Sequence, residues 1–279
     1  MNKIVLPEKA YAKINLALDI VRKRADGYHD LKMVMASVSL CDDIEVTLTP
    51  CEAGRERFTA ESRGSALPQD ESNLAVKAAR LFFAKRGFNG FDTHINIVKR
   101  IPVSAGLGGG SSDAAAVLRA LSARFPLPDR LTVPALELGS DVPYCLRGGV
   151  RLAEGRGELL SPLPPLPDCR IVLVTPPVRV STAEAFRAIS VPAFKTDWTA
   201  FLDAMRRRDL PAIAKNLANA FPDRYSDART RLLNAGALGV VMSGSGPSVF
   251  GMFDDEDLAS RAADSLRAIF PDTFLTEPV

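Results

Sequence analysis

The stretch IPVSAGLGGGSSDAAAVLRAL, residues 101–121, constrains this chain more than any other. Four glycines crowd the interval between a proline and an alanine-rich apolar run. Such bare backbone serves a flexible linker, a dinucleotide turn or a loop that wraps phosphates. Its neighbours narrow the choice. FDTHINIVK (91–99), just before it, alternates as a half-buried strand does, and the run after it has the make-up of a helix. Linkers rarely join two such well-formed elements. No lysine follows the glycines in the G-x-x-x-x-G-K-[ST] pattern, which excludes the usual P-loop. Gly106, Gly108 and Ser111 approximate the Rossmann G-x-G-x-x-[GA] turn. That turn, however, follows the first strand of a βαβ unit, and about a hundred residues rich in hairpin-like alternation precede this one. A phosphate cradle fits best. Glycine backbone takes positive φ and approaches an anion closely, and a helix beginning near Ser111–Asp113 adds unpaired N–H groups and roughly half a positive charge. Ser111 or Ser112 can cap that helix, or bind a phosphate oxygen or a Mg²⁺-bound oxygen.

Around this loop the chain reads as α+β. In YAKINLALDI, Ile14, Leu16, Leu18 and Ile20 fall on one face and Lys13, Asn15 and Asp19 on the other, the pattern of a half-buried strand. Segments 31–40 and 42–50 read as further strands, and 72–87 as a helix capped by Ser72 or Asn73 and stopped by Gly87. SPLPPLPD (161–168) marks a boundary between domains 1–160 and 161–279. Beyond it come a short strand RIVLVTPP and helical segments near 182–189, 196–207, 210–219 and 226–235. Two strands then flank a second glycine turn, and a last helix covers about 255–269. A net charge of only +2 argues against a charge-driven nucleic-acid binder. The four cysteines show no C-x-x-C pair and the two histidines lie far apart, which points to a reduced cytoplasmic chain without a histidine-rich metal site. The early charges in MNKIVLPEK argue against a signal peptide, and no apolar run reaches membrane-spanning length.

Three other stretches carry two readings each. RADGYHD (24–30) is either an exposed turn or a place where Tyr28 and His29 meet a planar ring. LELGSDVPYCLRGGV (136–150) sets Asp141 among apolar neighbours, where it either caps local backbone or does chemistry. VVMSGSGPSVFGMF (240–253) is a hairpin turn or a second backbone surface near a ligand. Lys13, alone on a strand, would by itself be a solvated edge charge.

Taken together, AYAKINLAL, IPVSAGLGGGSSDAAA and VVMSGSGPSVFGMF, in that order, resemble the three motifs of the GHMP kinase superfamily. DGYH, GSDVPYCLRGGVRLAEGRGE and VRVSTAEAF further resemble one branch of it, kinases of a cytidine diphosphate-linked methylerythritol in non-mevalonate isoprenoid precursor synthesis. One departure is that an N-x-L-E-like stretch usual before the third motif is replaced by KNLANAF (215–221), which has no glutamate.

The resemblance implies a two-domain fold, with an N-terminal part like domain 2 of ribosomal protein S5 and a ferredoxin-like C-terminal part. It implies transfer of the γ-phosphoryl of ATP to the substrate's 2-hydroxyl, with Mg²⁺ arriving on ATP and no metal site of the protein's own. Asp141 would be the general base, and Lys13 would pair with it and stabilise the moving phosphoryl. The ATP loop would comprise Pro102, Val103, Ser104, Ala105, Gly106, Leu107, Gly108, Gly109, Gly110, Ser111 and Ser112. Tyr28 and Phe186 would sandwich the cytosine, His29 would hydrogen-bond its edge, and Asn15 and Thr182 would lie nearby. The partner is then a small molecule, with neither nucleic acid nor membrane, and the chain is a monomer or weak homodimer. The rival activities are sibling kinases of mevalonate, phosphomevalonate or homoserine, and, from another class, a dinucleotide-dependent reductase.

Overall fold

The computed structural model describes residues 3–87, 89–126, 132–223 and 225–279, with backbone alone at 132–134. In chain order it begins with β1 (Ile4–Lys23), β2 (His29–Pro50), β3 (Phe58–Arg63), α1 (Leu74–Arg86), β4 (Phe91–Val98) and α2 (Gly109–Arg124). Then come α3 (Thr132–Leu138), α4 (Val142–Arg147), β5 (Val150–Gly155), β6 (Leu159–Pro162), β7 (Arg170–Val174) and α5 (Thr182–Ala188). The remainder is α6 (Trp198–Arg207), α7 (Leu210–Lys215), β8 (Ala218–Asn219), α8 (Ser226–Asn234), β9 (Gly239–Met242), β10 (Val249–Phe253), α9 (Glu256–Arg267) and β11 (Thr273–Thr276). Two compact units share this chain. One takes Met1–Ala12, Cys41–Val103 and Gly108–Arg147, and the other Lys13–Leu40, Ser104–Leu107 and Gly148–Val279.

In the first unit, β4 runs antiparallel to the second half of β2, with Asp43 opposite Val98 and Pro50 opposite Phe91. The alternation of β4 is the expected one, with Phe91, Thr93, Ile95 and Ile97 buried. β3 pairs parallel to β4, and a parallel pair needs a crossover, which α1 supplies. A βαβ unit therefore does lead into the glycine loop, but the loop follows its second strand and not its first. Asn73, not Ser72, caps α1, its Oδ1 accepting the Ala75 N–H at 2.9 Å. Buried Phe82 and Phe83 of α1 and Val117, Leu118 and Leu121 of α2 fill the core of this unit. Segments 31–40 and 42–50 form one strand. Asp42 stays within it because its carboxylate finds buried donors, described below.

In the second unit, β11, β7, β10 and β9 form an antiparallel sheet in that order. Counted along the chain the order is 4-1-3-2, with helices before the second strand and before the fourth. This is the ferredoxin-like β-α-β-β-α-β arrangement that the resemblance implies. Ile171, Val172, Leu173, Val174, Phe250 and Met252 are all fully buried in this sheet. The helix expected over 210–219 stops at Lys215, and Ala218 and Asn219 instead pair in parallel with Ala17 and Leu18 of β1.

The half-buried reading of β1 needs correction. Both of its faces are buried from Ala12 to Ile20, including Lys13, Asn15 and Asp19. Burying polar groups is tolerable only when they are hydrogen-bonded. Asp19 meets that condition, accepting from the Lys195 N–H (2.9 Å), the Thr196 hydroxyl (3.1 Å) and the Trp198 indole (2.8 Å).

Candidate active site

The glycine loop leaves β4 and turns into α2 at Gly108, which lies at φ 69°. The helix starts at Gly109, two residues earlier than Ser111, because consecutive glycines form its first turn. Asn73, Ser181, Asp197, Asp209 and Asp255 cap α1, α5, α6, α7 and α9 with their side chains. α2 has no such cap, as α8 also lacks one. Its N-terminal N–H groups thus face a glycine turn and not a side-chain acceptor. Ser112 does not cap it either, since its hydroxyl donates to the Tyr11 carbonyl at 2.6 Å. Ser104 adopts φ 57°, an uncommon conformation for a residue with a Cβ and one that concentrates at functional sites. Val103, Ser104 and Gly110 are exposed while Ala105 and Leu107 are buried, so apolar side chains pin the loop and leave its backbone at the surface.

The second unit gathers pieces of all three motifs. The Lys13 N–H donates to the Leu107 carbonyl at 2.9 Å, and the Lys13 ammonium donates to Asn15 Oδ1 at 2.7 Å. The Asn15 N–H donates to Ser243 Oγ at 3.2 Å, and that hydroxyl donates to the Gly106 carbonyl at 3.0 Å. A Cβ at Gly106 would run into the Ser243 carbonyl oxygen and come within 3.0 Å of the Gly246 carbonyl oxygen, so only glycine fits. Asn219 secures the second glycine turn, its amide donating to the carbonyls of Met242 (2.7 Å) and Gly244 (2.8 Å). A glutamate carboxylate could not donate these two bonds.

In the same unit His29 stacks on Phe186, with ring centroids 5.0 Å apart and planes 21° from parallel. Phe221 meets Phe186 edge-on at 5.0 Å. Burial, and then the positive charge of Lys23, push the His29 imidazole below its ordinary value. The ring is therefore neutral near pH 7 and offers one donor and one acceptor nitrogen. Tyr28 is half exposed and carries the Arg156 guanidinium 3.6 Å from its ring centroid. The Thr182 hydroxyl lies 3.1 Å from that of Ser245. Asp141, in the first unit, stands immediately before α4 and accepts the Cys145 N–H on its carbonyl at 3.0 Å.

The comparisons with known proteins agree with this geometry. The profile of the GHMP kinases N terminal domain matches residues 73–149, and that of the GHMP kinases C terminal matches residues 184–272. A 4-diphosphocytidyl-2-C-methyl-D-erythritol kinase of Clostridium botulinum (strain Eklund 17B / Type B) is 40% identical over 97% of this chain and 99% of its own. One of Pelotomaculum thermopropionicum is 43% identical over 95% of this chain and 94% of its own. The chain belongs to the 4-diphosphocytidyl-2-C-methyl-D-erythritol kinase family of GHMP kinases. A crystal structure of a 4-(cytidine 5'-diphospho)-2C-methyl-D-erythritol kinase superposes with a TM-score of 0.78 at 36% identity, covering 98% of this chain and 99% of that one. A homoserine kinase from Cytophaga hutchinsonii superposes at 0.72 with 18% identity, covering 98% of this chain and 94% of that one, which is likeness of fold alone.

Several residues of this GHMP kinase site escape a sequence reading. Ser243 looks like an ordinary turn residue, yet it links Asn15 to Gly106, and Asn219, which stands where the resemblance expects a glutamate, holds the second glycine turn. Phe221 and Arg156 back the rings of Phe186 and Tyr28. Among the described residues, no helix is long and apolar enough to cross a membrane, and no group of three His, Cys, Asp or Glu residues could hold a metal ion.

Proposed function

We propose that this GHMP kinase transfers the γ-phosphoryl of ATP to the 2-hydroxyl of 4-diphosphocytidyl-2-C-methyl-D-erythritol, a step of non-mevalonate isoprenoid precursor synthesis. The observation that carries the reading is the near-full-length match, at 40% identity, to kinases of that name. The uncapped N-terminus of α2 and the glycines before it fit the phosphates of ATP, because backbone N–H groups and the helix dipole together favour an anion. Residues 102–112 hold the nucleotide in this reading. Mg²⁺ bound with ATP supplies charge neutralisation on the phosphates. In this reading the ion would rest largely on those phosphates and water.

The protein's share of the chemistry is placement and charge. Asp141 accepts the proton of the 2-hydroxyl as the new P–O bond forms and the bond from the γ-phosphorus to its bridging oxygen breaks. A carboxylate is far too weak a base to strip an alcohol beforehand, so this transfer comes late. Lys13, with Asn15 beside it, stabilises the charge on the phosphoryl in flight. Tyr28 and Phe186 sandwich the cytosine, neutral His29 hydrogen-bonds its edge, and Thr182 lies nearby. The division at 160/161 then puts the ATP loop and both catalytic residues before it, and Thr182 and Phe186 after it. The enzyme works in the cytoplasm, as a monomer or weak homodimer, without nucleic acid or membrane.

The test is a coupled assay of ADP release with the full chain, ATP, Mg²⁺ and each alcohol in turn. Turnover with the cytidine diphosphate substrate, and none with mevalonate, phosphomevalonate or homoserine, is expected. Preference for any of the other three would overturn the proposal.

A further inference from the structure

A cluster in the first unit takes no part in the chemistry above. The Lys99 ammonium forms an ion pair with Asp42 Oδ2 and lies 3.1 Å from Asp113 Oδ2. All three side chains are between 0 and 3% exposed. Asp42 Oδ1 accepts the N–H groups of Arg100 (2.5 Å) and Ile101 (2.9 Å), the two residues that begin the glycine loop. Asp113 sits in α2, where the loop ends. The fit around the ammonium is close, since a Cβ at Gly109 would come 2.8 Å from Lys99 Nζ and 3.1 Å from Ile101 Cγ2. One buried cation thus ties the backbone before the loop to the helix after it, and between the two ties lie residues 102–108.

Burying three ionisable groups is expensive, and hydrophobic residues of similar volume would serve stability as well. The arrangement does something an apolar plug cannot, because it fixes main-chain N–H groups and a helix end by directional bonds. We propose that Asp42, Lys99 and Asp113 are positioning residues that hold the two ends of the glycine loop in register, so that their integrity sets the affinity for ATP and not the rate of phosphoryl transfer. The inference rests on the reading of residues 102–112 as the nucleotide loop. The loop's N–H groups would meet the phosphates in charge-assisted hydrogen bonds, and displacing one or two of these sets a scale of roughly tenfold to a hundredfold in affinity.

The experiment compares full-length wild type with Lys99→Met and Asp42→Asn. The latter keeps an acceptor for the Arg100 and Ile101 N–H groups but turns an amide or an uncharged oxygen toward Lys99, so it remains informative where Lys99→Met does not fold. Calorimetric titration with a non-hydrolysable ATP analogue is run beside steady-state kinetics, and folding is followed by circular dichroism. The expected result is a KM for ATP and a Kd for the analogue raised roughly tenfold to a hundredfold. The KM for the cytidine substrate, and kcat at saturating ATP, stay within about twofold, on the same argument. A merely structural role would lower the active fraction, and hence kcat, while leaving both KM values alone. That outcome, or analogue binding unchanged in a folded variant, overturns the clasp and leaves the kinase reading intact. Failure of the wild type itself to bind the analogue overturns the nucleotide loop and the clasp with it.

Discussion

Among the described residues two lysines are almost completely buried, and they are buried in different company. Lys99 is 6% exposed, in the first unit, and faces two carboxylates, of which that of Asp42 is itself bound to main chain. Lys13 is 5% exposed, in the second, and sits with Asn15, Ser243 and the turns at Gly106 and Gly244. The same ammonium group is set in the first case between two acids, one of which anchors backbone, and in the second among residues of three separate motifs. Burial alone therefore does not mark a functional lysine. What the neighbours are attached to distinguishes them.

The sharpest way to break this comparison is to remove each charge and ask what fails. Lys13→Met and Asp141→Asn are expected to lower kcat by about a thousandfold or more, with ATP-analogue binding retained, as for loss of transition-state charge stabilisation and of a general base. Turnover within about tenfold of wild type in either folded variant would remove that residue from the chemistry.

Lys99→Met should act on stability, beside its effect on the KM for ATP. It leaves two acids buried together, and breaking a buried pair in this way costs about 3–5 kcal/mol. Urea unfolding at neutral pH is the measurement, with Lys13→Met as reference. Should Lys13→Met prove the more destabilised of the two, the contrast between the lysines would be reversed.

How much of this was readable beforehand follows from what period and propensity can register. The strand 91–98 and the helix 74–86 were legible because burial imposes a period of two or 3.6 on their apolar residues. β3, with the sequence FTAESR, was not, because half of its positions face outward and no turn pair marks its ends. Lys99 sits in VKRIP, which reads as a pair of solvated charges after a strand. Its partners lie 57 residues before it and 14 after it, and only the folded chain brings them together. A signal was nonetheless present, in an acid at 42 within a strand pattern and an acid at 113 within an alanine-rich helix. Asp19 misled in the same manner, because a polar stripe on a strand looks solvated until its donors, from residues 195–198, are known. The pieces of the proposed substrate site rest on resemblance, and the fold sets Phe221 and Arg156 against two of its rings.

A smaller effect sharpens the account of the clasp. Burial, with the Asp42 charge adding to it and the Lys99 charge opposing it, pushes the Asp113 carboxyl up to about 7 from an ordinary 3.8. Between those values the folded chain holds a proton that the unfolded chain has lost. Stability from this group is therefore fully present at low pH and declines as pH rises through the window. Asp113→Asn removes the titration and should flatten the decline. The difference in pH dependence between the two proteins should be on the order of 2 kcal/mol between pH 5 and 8. Parallel stability–pH curves for wild type and variant would show that Asp113 enters the fold already ionised.

The mildest change is predicted where the rings meet. Phe186 lies between the stacked face of His29 and the edge of Phe221, so its position is set before any ligand arrives. Phe186→Leu keeps most of the apolar volume and loses the flat face, which for an aromatic pair is worth about 0.5–1.5 kcal/mol. The KM for the cytidine substrate should therefore rise roughly threefold to tenfold, with kcat and the KM for ATP nearly unchanged. Phe221→Leu should do the same more weakly, because Phe221 acts on the base only through the ring of Phe186. Were Phe221→Leu the more damaging of the two, Phe221 itself would be the ring that meets the cytosine, and Phe186 its support.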